Sequence, residues 1–151
     1  MKGFDFNMTK YKVGYTTGVF DMFHIGHLNI LKRAKERCDH LIVGVSTDAL
    51  VKCYKNKTPI IPFEERKAIV EAIKYVDEVV SQTTMDKLEA WEKLHFDVIF
   101  HGDDWKGSNM YDQIERELNK VGCDVVFLPH TKGTSSTLLS KTLHDKLGDD
   151  K

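Results

Sequence analysis

Cysteine and proline are both scarce in this chain of 151 residues, with three of each. Cys38, Cys53 and Cys123 are an odd number and form no C-x-x-C pair. That argues against a disulfide framework or a zinc knuckle, and for reduced thiols filling core or loop space. No apolar run approaches the ~20 residues that a membrane-spanning helix needs. The opening segment MKGFDFNMTKYK has no apolar stretch of the ~7–15 residues at the centre of a secretion signal, so the expected compartment is the cytoplasm. A charge excess is missing too: 22 Lys and Arg face 23 Asp and Glu, a net charge of −1. Nucleic-acid-binding domains usually carry a basic surplus, so nucleic acid is not an expected partner.

What is present is an alternation of two periodicities. Short runs rich in β-branched residues recur at 11–17, 40–46, 76–81, 96–102 and 123–129. Between them lie stretches with helical spacing. Leu28, Leu31, Ala34 and Cys38 share one face, as do Ile69, Ile73 and Val76. So do Met85, Leu88 and Trp91, then Tyr111, Ile114, Leu118 and Val121, and finally Leu139, Leu143 and Leu147. This alternation predicts an α/β fold, a single-domain Rossmann-like parallel sheet with helices on both faces and right-handed crossovers. The expected domain spans residues 11–147, after a flexible extension at 1–10. One segment breaks the rhythm. VKCYKNKTPIIPFEER (51–66) carries Lys52, Lys55 and Lys57 and then two prolines. It reads as a long loop before a helix starting near Phe63, and long loops in compact domains are often functional.

Ligands of open parallel sheets bind beyond the carboxyl ends of the strands, where strand order reverses. That rule selects four segments: GVFDMFHIGH (18–27), the lysine loop, GDDW (102–105) and HTKGTSST (130–137). In the first, Gly18 ends a strand and a helix starts near Ile25. The helix N-terminus and two imidazoles, His24 and His27, would then face one space, a ready anion site. From chemistry alone, phosphate binding leads. A metal site using His-x-x-His with Asp21, and a capping pair of core histidines, remain open.

The segment HIGH, following a strand that ends in G-x-F-D, resembles the HxGH signature of the nucleotidylyltransferase superfamily. With YVDEVV, GDDWKG and HTKGTSST in that order, the chain resembles over roughly 12–146 the glycerol-3-phosphate cytidylyltransferase group. The resemblance implies transfer of CMP from CTP to a small polyol phosphate, releasing pyrophosphate, in the service of wall or capsule polymer synthesis. It implies Mg²⁺ accompanying CTP, no organic cofactor, no resident protein-bound metal, and a homodimer. His24, His27, Lys55 and Lys57 would be catalytic. Thr17, Gly18, Val19, Phe20, Asp104, His130, Thr131, Ser135, Ser136 and Thr137 would contact the nucleotide together with the histidines. Lys55, Lys57, Arg66 and Lys74 would hold the acceptor. Three positions depart from the group's pattern: His130 replaces an arginine, Val19 a threonine, and Lys74 the arginine of I-R-Y-V-D. The other readings are adenylyl or cytidylyl transfer to a different sugar or alditol phosphate, and a non-catalytic nucleotide-binding module. The second would be marked by loss of an HxGH histidine, and both are present.

Overall fold

The structure is a computed structural model, and it describes residues 10–103, 107–129, 131 and 136–148, the side chains of Ser136 and Thr137 excepted. In chain order the elements are β1 (Tyr11–Gly18), α1 (Ile25–Lys35), β2 (Cys38–Ser46), α2 (Asp48–Lys55), α3 (Phe63–Glu71), β3 (Glu78–Gln82), α4 (Lys87–Leu94), β4 (Val98–Gly102), α5 (Asn109–Lys120), β5 (Asp124–Leu128) and α6 (Ser136–Gly148). The strands pair in parallel in the order β3-β2-β1-β4-β5. The chain builds outward from β1 to β3, then crosses back to place β4 on the other side of β1. The order therefore reverses between β1 and β4, and the crevice for a ligand lies at their carboxyl ends.

Successive side chains of a strand point to opposite faces, and the core divides accordingly. Leu41, Val43 and Val45 of β2 and Val98 and Phe100 of β4 pack with Leu31 and Ala34 of α1 and Val70 of α3. The intervening residues Tyr15, Ile42 and Ile99 pack with Phe96, Leu118 and Cys123 on the other face. Tyr15 and Phe96 stack with ring centroids 4.7 Å apart. Leu31 is wholly buried, so truncating it to alanine costs about 2–5 kcal/mol.

The expected alternation holds, with local corrections. The long loop expected over 51–66 is half helix: Asp48–Lys55 forms α2, capped by Thr47, whose hydroxyl accepts from Leu50 N at 3.2 Å. Asn56, in the left-handed conformation at φ 54°, ends α2, leaving a connection of 56–62. Cys38 opens β2 instead of closing α1, and still reaches the same core. In α3 the buried pair is Arg66 and Val70, while Ile69 is exposed. Leu143 and Leu147 of α6 are also exposed. Cys38 and Cys123 are buried, Cys53 is exposed, and all three are free thiols.

Candidate active site at the carboxyl end of β1

Helix α1 is capped by a histidine. The Nδ1 of His24 accepts from Gly26 N at 3.0 Å, and the Nδ1 of His27 accepts from His24 N at 3.2 Å, a reciprocal capping box. A ring nitrogen that accepts from a backbone N–H carries no proton. Each neutral imidazole therefore holds its proton on Nε2, as a donor pointing away from the helix. The rings lie 3.9 Å apart between centroids. Burial, and secondarily the neighbouring His24, push the pKa of His27 down to about 4 against an opposing pull from Asp21. Burial also lowers that of His24. The pair is thus neutral near pH 7 and offers two Nε2–H donors at the positive end of a helix.

Several features hold this loop in one shape. Phe20 and Met22 have φ of 56° and 50°, uncommon for residues with side chains. Phe20 is buried, and its ring lies 5.3 Å from that of His27. A side chain at position 26 would bring a Cβ within 2.8 Å of the His24 ring, so only glycine leaves that imidazole its place. The carboxylate of Asp21 accepts from Ile60 N at 2.8 Å and Ile61 N at 2.9 Å, tying the lysine loop to the histidine loop. Val19, Asp21, Lys55, Lys57 and Ser140 line one small cavity. Burial and then Lys57 lower the pKa of Lys55.

Thr131, after β5, is brought to the same helix end. Its hydroxyl accepts from the Asn29 amide at 2.7 Å, and its Cβ lies 3.8 Å from where a Cβ on Gly26 would stand. Asp104, His130 and Ser135 lie outside the described residues, as do Trp105 and Lys132. Ser136 and Thr137 open α6, their side chains outside the described set. The structure thus sets Thr17 and Gly18 at the carboxyl end of β1 and His24 and His27 just after it, with Val19, Lys55 and Lys57 on one cavity and Thr131 beside Gly26.

The other two residues expected to hold the acceptor, Arg66 and Lys74, take different places. Arg66 is 1% exposed. Its guanidinium donates to Ile61 O (2.8 Å), Val19 O (2.7 Å), Ser46 O (2.8 Å) and Asp48 Oδ1 (2.6 Å). It braces the ends of β1 and β2 and the lysine loop, and four of its five N–H donors go to that framework. Lys74 is exposed in the turn between α3 and β3, beside the Tyr75 ring. That turn feeds the amino end of a parallel sheet, whereas the histidines follow the carboxyl end of β1.

The sequence reading missed two buried polar residues. Lys87, the first residue of α4, is 4% exposed and donates to Thr17 Oγ1 at 3.0 Å. Burial brings its pKa down to about 8, and no carboxylate among the described residues pairs with it. A buried ammonium without a counter-ion is a favourable seat for an anion. His101 on β4 is buried beside it. A lysine at a helix start and a histidine in an apolar strand carry no periodic signal, so nothing local pointed to them.

The chain matches the Cytidylyltransferase-like family over residues 15–141. It belongs to that family. It is 37% identical over 135 residues to the glycerol-3-phosphate cytidylyltransferase of Bacillus subtilis strain 168, covering 85% of this chain and 94% of the relative. It is also 37% identical over 130 residues to the FAD synthase of Thermococcus kodakarensis, covering 83% and 85%. Among solved structures it resembles the lipopolysaccharide core biosynthesis protein of Thermoplasma volcanium at 27% identity. The TM-score there is 0.70, with 81% of this chain and 99% of that one covered. The expected fold and family membership therefore stand, and the histidine pair lies within the matched region. No helix among the described residues of this cytidylyltransferase-like chain is long and apolar enough to cross a membrane.

Proposed function

We propose that this protein transfers CMP from CTP to glycerol 3-phosphate, giving CDP-glycerol and pyrophosphate. The observation that carries the reading is the pair of histidines at the carboxyl end of β1 whose Nδ1 atoms accept backbone N–H groups, which leaves Nε2 of each neutral ring as the donor. An oxygen of the acceptor phosphate attacks the α-phosphorus in line, and the bond from that phosphorus to the bridging oxygen of pyrophosphate breaks. The attacking phosphate is already ionised near neutral pH, so no general base is needed. Transfer at phosphorus is helped chiefly by positioning and by donors aimed where negative charge accumulates. His24 and His27 donate to the α-phosphoryl oxygens, and Lys55 and Lys57 supply point charges over the phosphates from the facing loop.

The backbone of Thr17, Gly18, Val19 and Phe20, together with Thr131, Asp104, His130, Ser135, Ser136 and Thr137, holds the nucleotide in this reading. Arg66 acts through the framework it braces, and Lys87 provides a counter-charge for the acceptor. Among the described residues no group of three His, Cys, Asp or Glu stands ready to hold a cation. Mg²⁺ in nucleotide sites is held largely by substrate phosphates and water, and here it would enter on CTP and offset phosphate charge. The resemblance further supports a homodimer, a cytoplasmic location and a place in wall or capsule polymer synthesis.

The FAD synthase relative favours a second reading, adenylyl transfer on the same scaffold. Pyrophosphate release separates the two when CTP and ATP are each crossed with glycerol 3-phosphate and other phosphorylated alcohols. Release with CTP and glycerol 3-phosphate is the expected result. Release with ATP alone would overturn it.

A further inference from the structure

We propose that His101 reads a hydroxyl group of the acceptor and so sets which phosphorylated alcohol this enzyme takes. The proposal rests on the reading above, in which a phosphorylated alcohol attacks CTP at the carboxyl end of β1. The register pairs Thr16 with Phe100, so Thr17 and His101 occupy the next rung of adjacent strands, beside the point where strand order reverses. Lys87 meets Thr17 from α4, and Tyr111 meets His101 from α5. Four polar side chains from four elements thus collect on one face of the sheet at its carboxyl end.

His101 is 6% exposed, and only one side of its ring is satisfied. Nδ1 lies 3.2 Å from the Tyr111 hydroxyl, with the rings edge to face at 4.5 Å. Nε2 is buried and has no hydrogen-bond partner among the described residues. A buried polar atom left without a partner is costly, and native proteins rarely keep one that nothing fills. Burial and the charge of Lys87 keep the imidazole neutral at physiological pH.

The chemistry of the pair narrows what fills the gap. Tyr111 and His101 settle the tautomer between them, so Nε2 is either a donor or an acceptor. A hydroxyl satisfies either state. An ammonium or trimethylammonium group, as on an amino-alcohol phosphate, would face the Lys87 charge; neither has a lone pair for a donating Nε2, and trimethylammonium has no N–H for an accepting one. The cluster therefore suits an acceptor with a hydroxyl-bearing carbon chain beside its phosphate, a polyol phosphate.

The test removes the partner on both sides. kcat/KM is measured with saturating CTP for glycerol 3-phosphate and for 3-hydroxypropyl phosphate, which lacks the middle hydroxyl, and for ethyl phosphate, which lacks both. The enzymes are the wild type, His101→Met and His101→Gln, each melted to confirm folding. A site built around a hydrogen bond to a substrate hydroxyl rejects the analogue lacking it strongly, so wild type should favour glycerol 3-phosphate over one of the analogues by about 100-fold or more. His101→Met should shrink that preference to below about tenfold by lowering the glycerol 3-phosphate value alone, leaving the analogue and KM for CTP within about threefold. His101→Gln, which places an amide near Nε2, should recover much of the preference. Equal losses on every acceptor would assign His101 a merely structural role, and an unchanged preference would leave its Nε2 to an ordered water. Either result overturns the proposal. Should the methionine variant unfold, His101→Leu with the same acceptors takes its place and decides. Wild-type enzyme inactive with every phosphorylated alcohol would instead bring down the transferase reading beneath it.

Discussion

The backbone N–H of His24 donates to Nδ1 of His27 at 3.2 Å, so the bond that caps helix α1 also fixes which ring nitrogen of His27 holds the proton. Stability and catalysis thus draw on opposite edges of one imidazole, and substitutions can separate them. In His27→Asn, the amide oxygen takes the place of Nδ1 while the Nε2 donor is lost. We expect turnover to fall about 10²–10³-fold with little change in melting. His27→Ala should lose the same activity and about 1 kcal/mol of stability besides. Pyrophosphate release and urea titration of both variants check this, and an active asparagine variant would remove His27 from the chemistry.

Gly26→Ala sets two effects against each other. Alanine in a helix gains up to about 1 kcal/mol over glycine, but the new Cβ would press on the His24 ring at 2.8 Å. The fold survives either way, so the expected outcome is near-neutral stability with turnover reduced by at least tenfold, the ring being moved off its donor position. Normal turnover in a folded variant would show that His24 tolerates displacement.

Acid should destabilise the protein through its buried histidines. The pKa of His27 is depressed to about 4 and that of His101 to about 3, whereas the unfolded chain titrates near 6.5. Below pH ~6.5 the unfolded state binds protons that the folded state refuses, so stability is full above that pH and falls as pH drops toward 4. A tenfold weakening of proton affinity is worth ~1.4 kcal/mol, so the loss is on the order of a few kcal/mol. Melting temperature measured from pH 7 to pH 4 should fall steadily, and His101→Gln should flatten the slope. A level profile would contradict the burial argument.

Arg66→Lys keeps the charge and loses the fork. One ammonium cannot serve Val19, Ser46, Ile61 and Asp48 at once. Asp48 is partly exposed and recovers water, but the carbonyls do not. The cost should be on the order of 3 kcal/mol, read from urea denaturation. A variant with unchanged stability but a raised acceptor KM would return Arg66 to the role of a direct ligand.

The lysines divide by place in the fold. Lys57→Ala should raise KM for CTP or for the acceptor several-fold, because Lys57 shares the small cavity with Val19 and Asp21. Lys74→Ala should leave both values within about twofold, since surface substitutions remote from a site are usually near neutral. Steady-state kinetics on the two variants decide, and the reverse pattern would mean the amino end of the sheet also meets substrate.

Much of this protein is legible in one dimension. The strand runs at 11–17, 40–46 and 123–129, the start of α1 at Ile25 and the histidine motif depend on periodicities and turn residues within a few positions of each other. Neighbouring residues settle such features, so the α/β alternation and the parallel sheet it implies are legible without coordinates, and the order of the motifs points to the family. Tertiary structure alone decided the rest. Arg66 is expected from the resemblance to hold the acceptor, yet it is buried because four acceptors from distant segments converge on it. Lys87 and His101 have no local signature, and they meet only because β4 crosses back to lie against β1. Strand order, the proton position on each histidine and the fate of a buried charge all depend on partners far away in the chain, which no local pattern encodes.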